Sequence, residues 1–310
     1  MSGLKAKSKK ANTKETKKPL FSVVIPSYNQ GNFIGSAINS FFIQKYDQKE
    51  LIIVDNMSTD NSVSILKKNI KKARIVREKD KGQTNAINKG LNLSKGDILA
   101  YLNSDDVYDN DTFKAVYDYF VNNPNTKIVY GIGNFINEHG GLIGYYKSKS
   151  PTLNNLFSEC VISQPTVFMK REVYEKIGEF DESLNYAMDY DYWIRVAKIY
   201  KFGFINKLLA STRIHSQTKT FKEQKNVFNE VLISQKKNYG TVSDVGIFNY
   251  AYAVAASQTK RNNFIQILIF IVIATWNATE RYLKYGKIPG IEGLKHYIYL
   301  FRSVFVNNEK

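Results

Sequence analysis

The chain has 310 residues, with 44 Lys and Arg against 28 Asp and Glu, a formal net charge of +16. Hydrophobic residues make up 43%, enough for a sizeable core, so wholesale disorder is excluded, and the length suits roughly two domains or one α/β domain with an appendage. The single cysteine, Cys160, excludes a disulfide scaffold and a Cys-based zinc cluster and fits a reducing compartment, while three His are too few for a multi-His metal site.

The charge is unevenly spread. Residues 1–18 hold seven Lys and one acid, residues 19–220 carry a net of +4, and residues 221–310 a net of +6. The first 18 residues, with one Leu and no aromatic, read as a disordered basic arm. No apolar run follows those lysines, so the arm does not read as a signal peptide.

Pro19 opens the folded part. Phe21–Ile25 is a short apolar run ended by Pro26 and Ser27, which predicts a buried strand. Ile34, Ala37, Ile38, Phe41 and Phe42 recur at helical spacing. Glu50–Val54 predicts a second strand, followed by the polar turn Asp55–Asp60 and a helix through Val63, Leu66 and Ile70. Ala73–Val76 predicts a third strand, Thr84–Leu91 a helix, and Asp97–Leu102 a fourth strand ended by Asn103-Ser104-Asp105-Asp106. Strands alternating with helices imply a mostly parallel sheet flanked by helices.

Beyond Asp106 the expected elements are a helix through Phe113 and Phe120, a strand at Lys127–Tyr130 and a hairpin over Gly131–Tyr146 with His139-Gly140-Gly141 at its tip. An extended stretch follows at Val161–Lys170, where Pro165 excludes a helix centre. Helices are expected at Arg171–Ile177 and Met188–Tyr200, and two short strands at Gly203–Ile205 and Leu208–Ile214.

The polar clusters all follow strands: Ser27–Gln30, Asp55–Asp60, Glu78–Gly82 and Asn103–Asp106. Ligands of open parallel sheets sit beyond the carboxyl ends of the strands, so four strand ends point to one crevice. Asp105 and Asp106 at a strand end would repel each other unless a divalent metal or a solvated turn stabilises them, and an Asp-rich turn capping the next helix is the simpler alternative. Asp55 suits recognition of a base or ribose, or capping of the helix that follows. In Asp189-Tyr190-Asp191-Tyr192-Trp193 two acids open a helix among three rings. The helix dipole favours acids there, and a carboxylate enclosed by rings has a raised pKa and suits a general base. His215, after an apolar strand, reads either as structural or as a ligand. Gly82 and Gly90 form neither a dinucleotide fingerprint nor a Walker A loop.

Taken in order, Val24-Ile-Pro-Ser-Tyr-Asn29, Val54-Asp-Asn-Met-Ser-Thr-Asp60, Glu78-Lys-Asp-Lys-Gly82, Asn88-Lys-Gly90, Leu102-Asn-Ser-Asp-Asp106, Gln164-Pro165, Gly178-Glu-Phe-Asp-Glu182 and Met188-Asp-Tyr-Asp-Tyr-Trp193 resemble a family 2 glycosyltransferase, inverting and of GT-A fold, over about residues 20–220. The resemblance implies a GT-A catalytic domain at 19–220 and a helical C-terminal region at 221–310. It implies that Pro26, Tyr28, Asn29, Asp55, Glu78, Asp80, Gly82, Asn88, Asn103, Ser104, Asp106, Gln164 and Trp193 bind the nucleotide sugar, with Asp55 on the base and Glu78 and Asp80 near base and ribose. It implies a metal, Mn²⁺ or Mg²⁺, on Asp105 and His215. Asn103 stands where the family's Asp-x-Asp motif has its first acid, so ligation falls mainly on Asp105. Asp189 takes the place of the catalytic base, with Met188 where the family carries Glu.

These expectations amount to single-displacement transfer of a sugar from a nucleotide-diphosphate sugar, UDP-sugar being the expected donor, to a glycan or lipid-linked acceptor in cell-surface polysaccharide or glycoconjugate synthesis. A nucleotidyltransferase would share such a sheet but would carry a Gly-rich, basic loop after the first strand, which Ser27–Gly31 lacks. A nucleic-acid binder would need a basic aromatic face in the folded region, where the net charge is only +4. No nucleic-acid partner is expected.

In the last ninety residues Phe221–Tyr239 and Val245–Ser257 read as helices, and Phe264–Trp276 is an apolar run without charge. Thirteen residues fall short of a bilayer span, which predicts a buried or interfacial helix, flanked by Lys260, Arg261, Arg281, Lys284 and Lys287. Peripheral attachment to the cytoplasmic face of an anionic membrane is the expectation, with packing on the catalytic domain or on the mate in a homo-oligomer as the alternative.

Overall fold

The computed structural model describes residues 18–218 and 222–306. The basic arm expected at 1–18 therefore lies, but for Lys18, outside the described residues.

The first half alternates as the sequence predicts: β1 (Phe21–Ser27), α1 (Ile34–Phe42), β2 (Lys49–Asp55), α2 (Ser62–Asn69), β3 (Arg74–Arg77), α3 (Gln83–Leu93) and β4 (Ile98–Tyr101). These four strands are parallel, in the order β3-β2-β1-β4. Every residue of β1 is buried, because alternate side chains serve opposite faces. Phe21, Val23 and Ile25 pack with α1, α2 and α4, while Val24 packs against α3 and α7. Gly90 of α3 lies so close to β1 that a Cβ would stand 2.3 Å from Val24 Cγ1, which fixes how closely helix and strand approach.

The second half is less regular. It comprises β5 (Val107–Tyr108), α4 (Thr112–Asn122), β6 (Ile128–Ile136), β7 (Leu142–Tyr145), α5 (Leu153–Ser158), β8 (Phe168–Lys170), α6 (Arg171–Ile177), α7 (Met188–Ala197) and β9 (Phe202–Arg213). β8 joins the sheet antiparallel between β4 and β6, and β9 lies between β6 and β5, so the sheet is mixed rather than parallel throughout. Three expectations are corrected. The strand at Lys127–Tyr130 continues through Ile136 as the first arm of the hairpin. The two strands expected at 203–205 and 208–214 are one strand, whose register slips beside Gly131 and Ile132 so that Asn206 and Lys207 bulge out of the ladder. The stretch around Pro165 makes a 3₁₀ turn at Gln164–Thr166 instead of running fully extended.

Four helices close the chain: α8 (Gln224–Tyr239), α9 (Asp244–Gln258), α10 (Phe264–Lys284) and α11 (Ile291–Val306). Three of them, α9, α10 and α11, share a core of their own with Leu232 of α8. The other side of α8 belongs to the catalytic unit, since Val231 and Tyr239 pack against the α3/α7 core. α10 runs past the apolar stretch to Lys284, reaching 21 residues, with a mean hydropathy of 1.2 over its most apolar 18-residue window. By length and composition it is able to cross a membrane, which corrects the expectation that this segment is too short. One face of it, with Ile267, Phe270, Ile271, Ala274 and Ala278, is buried against the other helices.

Candidate active site

A cleft of about 470 Å³ opens at the carboxyl ends of β1, β2 and β4, within the range of small-molecule sites. Eleven of the expected site residues line it: Pro26, Tyr28, Asn29, Asp80, Gly82, Asn103, Ser104, Asp105, Asp106, Gln164 and Asp189.

The β1 and β2 loops are locked together. Asn29 N donates to Ser58 Oγ at 2.9 Å, and Thr59 N donates to Asn29 Oδ1 at 2.9 Å. Asn29 and Met57 both adopt left-handed backbone, at φ 51° and 53°, a conformation Asn tolerates and Met adopts at a cost. Asp55 is fully buried beneath these loops. Its carboxylate accepts from Ser58 N, Ser58 Oγ, Ser27 Oγ and Arg77 Nε. Asp55 is thus the knot that shapes the floor, set behind the cleft wall rather than in it. On the β3 side Gly82 N donates to Asp80 Oδ1 at 2.8 Å. Gly82 has φ 120°, a turn into α3 open to glycine alone without strain.

Three further expected residues lie away from the cleft. Glu78 points into solvent and pairs with Lys89. Asn88 is buried and ties α3 to the loop before α7, donating to Phe180 O and accepting from Phe180 N, both at 2.9 Å. Trp193 is packed in the core among Phe180, Tyr192 and Phe202. The ring is buried in the core one turn along α7 from Asp189, so it serves packing.

The turn after β4 is the polar centre. Asn103 accepts from Gln83 Nε2 at 2.7 Å and donates to Asp106 Oδ2 at 3.2 Å. Gln164 Nε2 donates to Tyr101 O at 3.0 Å. Asp106 is buried and receives Arg213 N at 3.0 Å. Burial first, and then the Asp105 charge, push its carboxyl well above the usual range. Asp105 is more open, and its Oδ2 lies 3.1 Å from His215 Nε2. His215 lies tilted against Phe33 with ring centres 4.4 Å apart, and its Nδ1 faces Gln217 N. With Nδ1 accepting from Gln217 N, the ring proton sits on Nε2 and bonds Asp105; a cation on Nε2 requires the other tautomer, with the proton on Nδ1.

Among the described residues no group of three or more His, Cys, Asp and Glu forms a metal cage. The Asp105–His215 pair does fit a cation that takes its remaining ligands from phosphate and water. Two cis ligands on ~2.1 Å bonds of an octahedral ion stand about 3.0 Å apart, close to the 3.1 Å separation here.

Asp189 faces the cleft from the first turn of α7. Burial raises its pKa to about 6, against two backbone hydrogen bonds that lower it. Asp191, two residues on and so about 200° round the helix, points the opposite way. It is fully buried and accepts from Arg195 Nε at 2.9 Å, Ser234 Oγ at 3.1 Å and Asn238 Nδ2 at 2.7 Å. The two acids of one motif are thereby separated into a cleft residue and an anchor.

Arg213, which sequence reasoning did not single out, also lines the cleft. It donates to Asp105 O at 3.0 Å and to Asn137 O and Glu138 O at 3.1 and 3.0 Å, fastening the Asp105–Asp106 turn to the base of the hairpin. Its position at a strand end, two residues before His215, was the available signal.

The model for glycosyl transferase family 2 matches residues 22–178, the half of the chain that carries the four parallel strands. An uncharacterized glycosyltransferase of Rickettsia felis is 28% identical over 215 residues, covering 64% of this chain and 35% of the relative. The chondroitin synthase of Escherichia coli is 28% identical over 244 residues, covering 76% of this chain and 34% of that enzyme. The chain thus spans about a third of the length of these two relatives. Among solved structures, S. aureus TarS 1-349 in complex with UDP-GlcNAc superposes with a TM-score of 0.60 at 15% identity, covering 93% of this chain and 92% of that one. The mannosyltransferase PcManGT of Pyrobaculum calidifontis, in complex with GDP-Man and Mn²⁺, gives 0.55 at 17% identity over 94% and 88%. At these identities the likeness is one of fold, and the fold is GT-A. With the strand-end cleft, the curled mixed sheet and the family match in agreement, the chain belongs to glycosyl transferase family 2.

Proposed function

We propose that this glycosyltransferase moves a sugar from a nucleoside-diphosphate sugar, a UDP-sugar by preference, to a hydroxyl of a glycan or lipid-linked glycan, with inversion, in cell-surface polysaccharide or glycoconjugate synthesis. The observation that carries the reading is Asp189, a half-buried cleft carboxylate with its pKa raised to about 6, in the same cleft as Asp105. Such a group is ionised near neutral pH yet basic enough to take a proton from a hydroxyl. The UDP-GlcNAc of the TarS complex supports the donor class, and the chondroitin synthase relative supports a glycan acceptor.

The acceptor oxygen forms a bond to the anomeric carbon while the bond from that carbon to the diphosphate oxygen breaks. The proton of the acceptor hydroxyl passes to a carboxylate oxygen of Asp189, and the electron pair of the broken bond leaves on the nucleoside diphosphate. Tyr28, exposed at the cleft mouth, and Asn29 meet the nucleoside, and the turn at Asn103–Asp106 faces the diphosphate. Asp105 and His215 would hold Mn²⁺ or Mg²⁺, which supplies positive charge to the leaving diphosphate. The Mn²⁺ of the PcManGT complex supports a divalent ion of this kind. A thermal-shift panel of nucleotide sugars with Mn²⁺, Mg²⁺ or EDTA tests donor and metal together. A UDP-sugar that raises Tm only with a divalent ion is the expected result, and no response to any nucleotide sugar would overturn the reading.

The acceptor side suggests a cytoplasmic enzyme held on the inner face of the cell membrane. On α10, Ile265, Leu268, Ile269, Val272, Trp276 and Leu283 are exposed at helical spacing, opposite the face buried in protein. Lys260 and Arg261 precede this stripe and Lys284 ends it. An apolar stripe with a Trp and basic ends suits a helix lying in an anionic headgroup layer, and its buried protein face argues for lying there over crossing.

A further inference from the structure

The segment Asn185–Ala187 leads into α7 and forms part of the cleft wall just before Asp189. Among the described residues, its backbone amides find their hydrogen-bond acceptor outside the catalytic sheet. They converge on one carboxylate from the C-terminal region, Glu230 of α8. Asn185 N donates to Glu230 Oε1 at 2.9 Å and to Oε2 at 3.0 Å, Tyr186 N to Oε2 at 2.7 Å, and Ala187 N to Oε2 at 2.9 Å. Glu230 is only 8% exposed. Ala187 is the N-cap of α7 and makes no side-chain cap bond of its own, having no group with which to make one. A carboxylate is the group best suited to three convergent N–H donors at the positive end of a helix.

The contact is reciprocal. While α8 sends Glu230 to the start of α7, α7 sends Asp191 to Ser234 and Asn238 of α8, one and two turns further along. Two carboxylates, one from each helix, interlock the pair and fix both the rotation and the axial position of α7. Asp189 lies between the two anchor points, two residues from each of Ala187 and Asp191.

We infer that Glu230 is a positioning residue for transfer: through the amides of Asn185, Tyr186 and Ala187 it holds Asp189 at its working depth in the cleft, so that the helical C-terminal region completes the catalytic unit. The inference rests on the reading of Asp189 as the base. It makes α8 part of the enzyme rather than part of an appendage, whatever the rest of the C-terminal region binds.

The test uses the full chain. In Glu230→Gln the side chain keeps its size, but its NH₂ group now faces N–H donors and only one oxygen remains to accept. The expected result is a kcat lower by about 10- to 100-fold, the loss typical of a misplaced catalytic group, with the calorimetric Kd for UDP and metal within about twofold of the parent protein. Glu230→Asp, one methylene shorter, should fall between the two and serves if Glu230→Gln does not fold. Leu232→Ala, which opens a cavity on the opposite side of the same helix, should lower Tm while leaving kcat within about twofold. Unchanged kcat in folded Glu230→Gln or Glu230→Asp, or an equal kcat loss in Leu232→Ala, would overturn the inference. Asp189→Asn separates the two claims. If it is inactive while the Glu230 variants keep kcat, the inference alone fails; if it retains turnover, the base assignment fails and the inference with it.

Discussion

Asp105 Oδ2 and His215 Nε2 stand 3.1 Å apart although 110 residues separate them in the chain. The Asp is delivered by the turn after β4 and the His by the segment after β9. Arg213 bridges the two, its main-chain N–H on Asp106 and its guanidinium on Asp105 O. The pair is therefore built before any ligand arrives, which is what a site of few protein ligands requires.

His215→Ala should weaken Mn²⁺-dependent binding of UDP by about 10- to 100-fold, and Asp105→Ala by more, because it removes charge as well as a ligand. Calorimetry of UDP with Mn²⁺ and with EDTA gives the measurement. In EDTA the parent protein and both variants should bind UDP alike. An equal loss with and without metal would reassign the pair to direct contact with the nucleotide.

The Asp189 carboxyl, pushed up to about 6 by burial, sets the acid limb of the rate. Transfer should be half-maximal near pH 6 and fall about tenfold per unit below it, because the protonated acid is unable to accept a proton. Asp189→Asn should lower kcat by roughly 10²- to 10⁴-fold while UDP still binds. A pH–rate profile flat from pH 5 to pH 8 in the parent protein would remove Asp189 from the chemistry.

The same shift has a stability consequence of opposite sense. The folded pKa lies above the unfolded value of 3.8, so between the two the native state binds more protons than the unfolded chain, and stability declines as pH rises through that window. Above it the ionised, half-buried carboxylate costs the fold about 1–2 kcal/mol after allowance for solvent screening. Asp189→Asn should therefore raise Tm at pH 7.5 and leave it nearly unchanged at pH 4. A lower Tm at pH 7.5 would mean that the ionised carboxylate has a stabilising partner.

Gly90→Ala would set a Cβ 2.3 Å from Val24 Cγ1 and 2.8 Å from Val24 Cγ2. The overpacking should cost about 1–3 kcal/mol, more than the roughly 1 kcal/mol that Ala gains over Gly in a helix interior. Val24→Ala removes those methyls, so Gly90→Ala should cost much less in that background. Denaturant melts of the two single variants and the double variant measure the coupling; strict additivity would show that α3 yields elsewhere.

Much of this was legible in the sequence because β1 to β4 are short apolar runs punctuated by polar turns, and the polar turns are where a parallel sheet places its ligand. β5 was not legible, since two residues carry no period. The sequence of β9 reads as two strands because Asn206 and Lys207 interrupt its apolar pattern, and only the bulge opposite Gly131 and Ile132 keeps the strand continuous. Trp193 and Asn88 lie in motifs that match the family's, but motif membership does not say which way a helix turns a side chain. Glu230 left no trace at all: its partners are backbone amides some 45 residues away, and a backbone amide has no letter in the sequence.

The exposed stripe of α10 gives the last prediction. Trp276 is 73% exposed and Leu283 77%, on a helix whose other face is already covered by Tyr250, Ala251 and Val254 of α9 and by Leu300 of α11. Burying a face of this kind in the acyl boundary is favourable by about 25 cal/mol per Å² of apolar area, and the basic ends add attraction to anionic headgroups that salt screens. The protein should cosediment with vesicles containing phosphatidylglycerol and much less with phosphatidylcholine alone, with binding reduced at high salt. Val272→Asp combined with Trp276→Asp should abolish cosedimentation while leaving UDP binding intact, since both residues lie outside the cleft. If instead the double variant still sediments with vesicles but changes from dimer to monomer on size exclusion, the stripe covers a second copy of the chain and the membrane assignment falls.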